Sequence, residues 1–199
     1  MIDLFLGVSA IEYGAVAFAV LYLVLAIRES VWCWPAALIS AVLSTVLFFD
    51  ARLLMESGLQ VFYGGIAIYG WFQWTRGTGG SPVTIHVWSW RTHCAVIVAI
   101  LATSSIFAWA LSATRQVMPL VDSFTTVAAI VTQYMVAKKI LENWLYWFVI
   151  DSVSIYLYLS RDLYLYAGLF VVYLILIVIG FRQWFSQWLL DRRQLAATG

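Results

Sequence analysis

The chain carries part of its own sequence twice, at a displacement of 110 residues and without a gap. Aligning residues 34–74 with residues 144–184 gives 11 identities in 41 positions, where chance in so apolar a chain gives roughly one in ten. Four of the identical pairs are glycines or tryptophans, which hydrophobicity alone does not produce: Trp34/Trp144, Gly58/Gly168, Gly70/Gly180 and Trp74/Trp184. The repeat predicts a duplicated unit of about three helices.

Composition places this unit in a membrane. Hydrophobic residues make up 64% of the chain and charged residues 11%, and the mean hydropathy is +0.92, which is typical of an integral membrane protein. The apolar stretches lack the alternation of barrel strands, so they predict helices of about 20 residues. The predicted spans are residues 8–27, 31–49, 57–74, 94–113, 119–137, 143–160 and 163–182.

Basic residues predict the orientation of these spans. Eight follow the odd-numbered spans, on one side of the membrane: Arg28, Arg76, Arg91, Lys138, Lys139, Arg182, Arg192 and Arg193. Only Arg52, Arg115 and Arg161 fall on the other side. The positive-inside rule then predicts an outer N-terminus and a cytoplasmic C-terminus. No cleavable signal peptide is expected, because the first span lacks a basic leader and belongs to the repeat.

The spans divide into three, one and three. Repeat one covers about residues 9–75, a linker helix about residues 93–113, and repeat two about residues 119–185, within one transmembrane domain. A single linker span returns the chain to its starting side, so both copies insert in the same sense. The predicted fold is therefore an all-α membrane protein of seven helices in a parallel 3+1+3 repeat, as in the SWEET sugar transporters.

The strongest candidate for chemistry is Asp151, in the middle of span six. Ionisable residues inside a membrane are costly and indicate a functional site. Residues that recur at intervals of three and four put one polar, aromatic face on this helix: Trp144, Trp147, Asp151, Ser154 and Tyr158. The structural alternative is an interhelical hydrogen bond from a protonated carboxyl group.

Gln133 and Asn143 are the next candidates. Gln133 lies near the end of span five, and antiparallel packing of spans five and six puts it at the depth of Trp147. Its amide suits hydroxyl or carboxamide groups of a substrate, although it also suits contacts between helices. Asn143 either caps span six or reaches the same cavity.

The first repeat offers weaker candidates, namely Trp34, Gln60 and Tyr63. Tyrosine and tryptophan near span ends usually belong to the interfacial belt. In the alignment Asp151 corresponds to Ala41 and Gln133 corresponds to Leu23, so the two copies have diverged at these polar positions. The divergence predicts an asymmetric site dominated by the second repeat.

Other functional classes receive little support from the sequence. The two cysteines and the two histidines, Cys33, Cys94, His86 and His93, have no metal-ligand spacing. No nucleophile–base arrangement, P-loop or dinucleotide fingerprint is present. We therefore expect no enzyme activity, no cofactor, no metal and no nucleic-acid partner. A structural subunit of a membrane assembly is the competing class, although such a subunit does not need polar groups buried in the membrane, which are costly.

Several segments in this order and spacing resemble the PnuC family of bacterial vitamin transporters, typically for nicotinamide riboside, over essentially the whole chain. They are Trp32 to Pro35, Gly58 to Tyr63, Tyr69 to Trp71, Gln133 to Lys138, Glu142 to Trp144, Trp147, Asp151, Leu157-Tyr158, Leu163-Tyr164 and Gly180 to Trp184. The chain departs from the expected pattern at Tyr166-Ala167. The resemblance implies a SWEET-like homotrimer that works by facilitated diffusion, with a cytoplasmic kinase trapping the vitamin.

The candidate residues suit a vitamin of this kind. A flat cationic ring favours aromatic faces and a carboxylate, which Trp144, Trp147 and Asp151 provide, while ribose hydroxyls favour Gln133 and Asn143. Thiamine satisfies the same argument, and neutral riboflavin fits less well opposite Asp151. A SWEET-type sugar carrier is a further alternative.

Overall fold

A computed structural model of the protein describes residues 10–50, 54–77, 83–112, 118–160, 162 and 164–198. The described residues form seven α-helices, so the predicted all-α class is confirmed. The chain divides into two compact units, residues 1–83 and residues 84–199. The predicted linker helix belongs to the second of these units.

The described part of the first unit contains three helices: α1 Ala10–Ile27, α2 Cys33–Asp50 and α3 Leu54–Arg76. Helix α2 packs against both α1 and α3. Ser40 Oγ on α2 donates a hydrogen bond to the Ala15 carbonyl on α1, at 2.9 Å. Ser57 Oγ on α3 donates to the Thr45 carbonyl on α2, at 3.1 Å. Hydroxyl bonds of this kind join helices where apolar surroundings offer no other partner.

The described part of the second unit contains four helices: α4 Trp90–Ala110, α5 Pro119–Ala137, α6 Asn143–Leu159 and α7 Tyr164–Thr198. Each helix packs against the next one in the chain. Pro119 opens α5, where its missing N–H would have no helical partner. Helix α7 runs past the predicted end of its span at residue 182 as far as Thr198. Hydropathy predicts only the part of a helix that lies in hydrocarbon. A helix that continues into water has no need of apolar residues all round, so its end is not predicted by hydropathy.

The turn after α1 and the turn after α5 are built alike. Glu29 and Lys139, which are aligned in the repeat, both adopt φ 53°. The next residue in each turn donates its N–H to the carbonyl five positions earlier, at 3.0 Å: Ser30 to Leu25, and Ile140 to Met135. This is the Schellman motif, which satisfies carbonyls at a helix end. Both turns therefore end one helix and start the next with the same geometry.

Each unit also packs a tryptophan onto a glycine. A Cβ atom at Gly70 would overlap the indole of Trp34, and one at Gly180 would overlap the indole of Trp144. Both tryptophans make a T-shaped contact with a second tryptophan, at a ring separation of 5.4 Å: Trp34 with Trp74, and Trp144 with Trp184. Three of the four glycine and tryptophan pairs in the repeat alignment are thus packing residues inside their own units.

Five of the described helical segments are long and apolar enough to cross a membrane: Ala10–Ile27, Cys33–Asp50, Trp90–Ala110, Pro119–Ala137 and Ala167–Gln194. The sequence predicts spans at α3 and α6 as well. Helix α6 has 17 residues, which is at the lower end of the range for a spanning helix. Helices α3 and α6 are also the ones that carry Gln60 and Asp151.

The segment before α4 joins the turn between α5 and α6. The His86 N–H donates to the Lys139 carbonyl at 3.2 Å, and the Leu141 N–H donates to the His86 carbonyl at 2.9 Å. On α4, His93 Nδ1 lies 3.0 Å from the hydroxyl of Tyr146. The start of α4, the end of α5 and the start of α6 therefore lie together, on one side of the second unit.

Candidate functional site

Asp151 lies at the midpoint of α6 and is buried, with 5% of its surface exposed. Ser154, one turn later on the same helix, is also buried and donates to the Ile150 carbonyl at 2.9 Å. Tyr173 on α7 is close enough to Asp151 to interact with it electrostatically. A buried carboxyl group in a membrane helix is expensive and marks a functional site.

Three aromatic rings contact one another in sequence, and we call them the aromatic cluster: Tyr158 on α6, with Phe170 and Tyr173 on α7. Tyr173 is the member that interacts with Asp151. The rings of Tyr158 and Phe170 are 5.1 Å apart, and those of Phe170 and Tyr173 are 5.5 Å apart. Tyr173 also interacts electrostatically with Tyr158. A carboxylate next to aromatic faces is an arrangement that attracts flat cations.

Tyr173 is a further candidate site residue, which the sequence analysis does not name. The repeat alignment pairs it with Tyr63, which the sequence does predict as a candidate. Because the second repeat carries Asp151, the tyrosine of that repeat was the better choice of the two. The alignment of Tyr173 with Tyr63, together with the position of Asp151 in the second repeat, is therefore enough to indicate Tyr173 from the sequence.

Gln133 and Trp147 lie on α5 and α6, on either side of the turn that joins these helices. Gln133 is four residues before the end of α5 at Ala137, and Trp147 is four residues after the start of α6 at Asn143. Gln133 is buried and Trp147 is half-buried. Helices α5 and α6 pack together, so both side chains lie about one helical turn from the connecting turn.

Asn143 is the first residue of α6 and is fully buried. Its Nδ2 donates to the Ile140 carbonyl at 2.6 Å, which closes the turn between α5 and α6. Among the described residues, its Oδ1 has no hydrogen-bond partner. The side chain therefore stabilises the turn with its donor, while its buried acceptor has no partner among the described residues.

Trp144 and Trp34 are buried by packing rather than open to a ligand. Each ring contacts a glycine and a second tryptophan of its own unit, as described above. The indole Nε1 of each residue is buried and has no hydrogen-bond partner among the described residues. Of the two tryptophans at the start of α6, Trp147 is thus the one with exposed ring surface.

The remaining predicted site residues lie in the first unit. Gln60 and Tyr63 are half-buried and sit one helical turn apart on α3. The structure thus brings Asp151 together with the aromatic cluster, and it locates Gln133, Asn143 and Trp147 near the turn between α5 and α6. No metal ligand set of three or more histidine, cysteine or acidic residues occurs among the described residues.

Apolar helices around a buried carboxyl group and buried amides are the features of a multi-pass membrane transporter. The model of a family described as "Nicotinamide mononucleotide transporter" matches residues 9–186. The chain belongs to this family. Its relatives are transporters, and it is a transporter rather than an enzyme.

Two curated relatives and one solved structure are similar to the chain. The riboflavin/roseoflavin transporter RibM of Streptomyces davaonensis is 31% identical over 179 residues, covering 86% of this chain and 81% of RibM. The nicotinamide riboside transporter PnuC of Escherichia coli is 24% identical over 205 residues, covering 89% of this chain and 86% of PnuC. A crystal structure of the vitamin B3 transporter PnuC matches with a TM-score of 0.74 at 21% identity, over 94% of this chain and 85% of that one.

Proposed function

We propose that the protein carries nicotinamide riboside, a form of vitamin B3, across the membrane by facilitated diffusion. The observation that carries this proposal is the position of Asp151 beside the aromatic cluster. The nicotinamide ring of the riboside is flat and positively charged, so it gains from both a carboxylate and aromatic faces. The relationship to a nicotinamide riboside transporter supports the same substrate.

Two other groups complete the proposed recognition of the riboside. The half-exposed ring of Trp147 offers a stacking surface on α6. In this proposal the ribose hydroxyls bind the Gln133 amide and the Oδ1 of Asn143, a buried atom that has no hydrogen-bond partner among the described residues. The second unit therefore supplies most of the binding groups in this proposal, and Gln60 and Tyr63 of the first unit are auxiliary candidates.

Riboflavin is the second candidate substrate. It is favoured by the higher identity to RibM, 31% against 24% for PnuC. The isoalloxazine ring of riboflavin is flat but neutral, so it would use the aromatic cluster without using the charge of Asp151. The two candidates therefore differ in how much their binding depends on that carboxylate.

Counterflow into proteoliposomes separates the candidates. Vesicles preloaded with one unlabelled compound take up the same labelled compound only if the protein moves it. We expect labelled nicotinamide riboside to accumulate transiently, and labelled thiamine or hexose to accumulate less or not at all. Uptake of riboflavin alone would transfer the proposal to riboflavin, and uptake of none of these compounds would overturn the vitamin proposal.

Asp151→Asn tests the role of the carboxylate, because it keeps the shape of the side chain and removes its charge. The ring nitrogen of the riboside carries no hydrogen, so the carboxylate acts on it through charge. Opposite charges about 4 Å apart attract by about 4 kcal/mol at an effective dielectric constant of about 20, and desolvation offsets part of this, so the riboside affinity should fall by about tenfold or more. Riboflavin, which is neutral, should bind the variant as well as the parent. Equal loss of both ligands, with a lower melting temperature, would indicate that Asp151 stabilises the helix bundle instead.

Transport without an energy source follows from the proposed mechanism. The vesicles should fill only to equal concentrations inside and outside, with or without a pH gradient. In the cell, a kinase in the cytoplasm would then trap the riboside as a phosphorylated product. Uphill accumulation driven by an inward proton gradient would contradict facilitated diffusion and would make Asp151 a proton carrier.

The assembly and orientation are also proposals. We infer a homotrimer of chains with a parallel, SWEET-like 3+1+3 repeat, inserted in the inner membrane with a cytoplasmic C-terminus. The matching turns after α1 and α5 support the repeat. A C-terminal fluorescent protein should glow and a C-terminal alkaline phosphatase should be inactive; an active phosphatase would reverse the orientation. Native mass spectrometry of the detergent-solubilised protein would check the trimer.

A further inference from the structure

A network of four side chains and backbone groups joins the start of α4 to the start of α6, and we call it the polar network: Trp88, His93, Glu142 and Tyr146. The Nδ1 atom of His93 lies 3.0 Å from the Tyr146 hydroxyl, and its Nε2 atom lies 3.4 Å from Glu142 Oε1. The Trp88 N–H donates to Glu142 Oε2 at 3.4 Å. His93 therefore contacts α6 and the residue just before it at the same time.

The imidazole of His93 is enclosed by its neighbours. Its centroid is 5.7 Å from the ring of Trp88 and 5.8 Å from the ring of Tyr146. The side chains of His93 and Glu142 are each 19% exposed. The polar network is thus a packed contact, unlike an ion pair between two long side chains in water, which contributes little.

One tautomer of His93 suits both of its polar neighbours. If Nε2 carries the proton, it faces the Glu142 carboxylate, and Nδ1 then accepts a hydrogen bond from the Tyr146 hydroxyl. The Nε2 atom is buried and makes no hydrogen bond among the described residues. Its contact with Glu142 is within ion-pair distance but outside hydrogen-bond geometry, so the attraction is electrostatic. The carboxylate thereby orients the ring toward Tyr146.

Glu142 stands at the N-cap position of α6, where a side chain commonly accepts a hydrogen bond from the first turn. In the described part of the chain, the Glu142 side chain makes no such cap bond. Its two carboxylate oxygens lie instead against the Trp88 N–H and His93. The first turn of α6 is therefore held in part by the segment that leads into α4.

Helices α4 and α6 leave a space between them beside the polar network. An apolar cavity of about 260 Å³ lies between α4, α5 and α6, and Tyr146 lines it together with Ile97 of α4 and Val149 of α6. Helix α4 packs on α5, and α5 packs on α6. Protein interiors usually fix their helices by close packing. Because side chains do not fill this space, the position of α6 relative to α4 depends on the polar network.

We propose that His93 is a positioning residue for the vitamin site, acting through Tyr146 and Glu142 on the start of α6. Trp147 directly follows Tyr146, and its ring is a candidate stacking surface. Asn143 directly follows Glu142. A shift of the two anchored residues therefore moves both candidate binding side chains. The inference rests on the proposed function, because it gives the position of Trp147 a role in recognition.

His93→Phe tests the polar contacts, because it removes them and keeps a ring between Trp88 and Tyr146. The vitamin concentration that gives half-maximal counterflow should rise by about three- to tenfold, while the maximal rate per folded protein is unchanged. A lower maximal rate with the same half-maximal concentration would show only a loss of folded protein and would overturn the proposal. His86→Phe is the matched control, because its exposed ring faces the Thr84 carbonyl, at 3.4 Å, and not the polar network.

His93→Asn is the conservative variant. Its amide replaces Nδ1 as a partner for the Tyr146 hydroxyl, so it should restore most of the affinity that His93→Phe loses. Tyr146→Phe removes the other end of the same bond, so combining it with His93→Phe should have no larger effect than His93→Phe alone. Fully additive effects, or no rescue by asparagine, would mean that this bond does not position α6.

Thiol labelling follows the position of residue 147 without any substrate, so it separates this inference from the proposed function. Cys94 is exposed and is replaced by alanine, whereas Cys33 is buried; Trp147→Cys is then labelled with a maleimide in detergent. Adding His93→Phe should raise the labelling rate by about threefold or more, and adding His86→Phe should not change it. Equal rates in all three proteins would overturn the positioning role even if the parent transports the vitamin. A raised rate in a protein that transports no vitamin would support the positioning of α6 and contradict the proposed function alone.

Discussion

Helices α2 and α6 are aligned in the repeat. They share a packing contact at their N-terminal ends and differ in the residues that follow. Trp34 is the second residue of α2 and Trp144 is the second residue of α6. Each packs on a glycine of the following helix. One and two turns later, α2 has Ala37 and Ala41 where α6 has Trp147 and Asp151. The two helices thus keep the same packing contact and differ in the groups available to a ligand.

The turns that precede these helices show the same division. Cys33 and Asn143 both donate their backbone N–H to the carbonyl three residues earlier, at 3.0 Å and 3.1 Å. Both turns share this backbone bond, and Asn143 adds a side-chain bond from Nδ2 to the Ile140 carbonyl. The backbone geometry alone does not explain why one position is a thiol and the other an amide. Polar residues that one repeat has and the other lacks are therefore candidates for function, and Asp151 and Asn143 both lie in the second unit.

The largest effect on stability is expected at the tryptophan–glycine contact that both units share. Valine at Gly180 would place its side chain inside the indole of Trp144, and valine at Gly70 would do the same to Trp34. Overpacking a filled core costs about 1–3 kcal/mol. Each variant should therefore melt several degrees below the parent in detergent, and the two losses should be similar. A large loss at only one position would show that the two contacts differ in strength.

Gly58 and Gly168 provide the matched controls. They are aligned in the repeat, lie on α3 and α7, and have nothing within 4 Å of an added Cβ. Alanine is better than glycine in a helix by about 1 kcal/mol, so Gly58→Ala and Gly168→Ala should melt at or above the temperature of the parent. Destabilisation by these controls would mean that the helices resist any added side chain.

The fold was predictable from the sequence because its two determinants are both visible there. Apolar stretches of about 20 residues predict helices in a membrane, and the gapless repeat identifies positions such as Gly70 and Gly180 that packing requires. The ends of α7 and α4 were less predictable. A helix that leaves the membrane is no longer marked by hydropathy, and the start of α4 at Trp90 depends on its Ser89 cap, whose Oγ accepts from the Thr92 N–H at 3.2 Å.

The candidate site was predictable only in part. Asp151 is conspicuous in sequence because a carboxyl group within a span is rare. The burial of Trp144 against Trp184 was not predictable, because an aromatic residue on a polar face is equally suited to packing and to stacking on a ligand. The contribution of Tyr173 depends on how α7 packs against α6, which the spacing of residues along one helix does not specify.

Trp147→Ala makes the start of α6 more like α2, since Ala37 is its aligned residue. Loss of the stacking face should lower the affinity for the vitamin by about 1–2 kcal/mol, or about five- to thirtyfold, in calorimetric titrations. Phe148→Ala is the control, because Phe148 is an exposed aromatic residue on another face of α6. If both variants bind normally, the difference between Ala37 and Trp147 has no role in recognition.

Gln133→Leu restores the residue of the first repeat at α5, where the aligned position is Leu23. A neutral hydrogen bond contributes about 0.5–1.5 kcal/mol, so the affinity should fall by about two- to twelvefold. Thr132→Val is the control, because the Thr132 hydroxyl is used within α5 and donates to the Ala128 carbonyl at 2.7 Å. A lower melting temperature with normal affinity would make Gln133 a contact between helices.

The smallest effect on stability is expected for Asn143→Cys, which introduces the residue found at Cys33. The change removes a hydrogen bond from Nδ2 to the Ile140 carbonyl, but it also removes an Oδ1 atom that is buried without a partner among the described residues. A lost bond and a relieved unsatisfied acceptor are each about 1 kcal/mol, so they should nearly cancel in the melting temperature. If Oδ1 binds the ribose, the vitamin affinity should still fall by about two- to twelvefold. Unchanged affinity would assign Asn143 to the turn alone, and the repeats would then differ at this position without a consequence for binding.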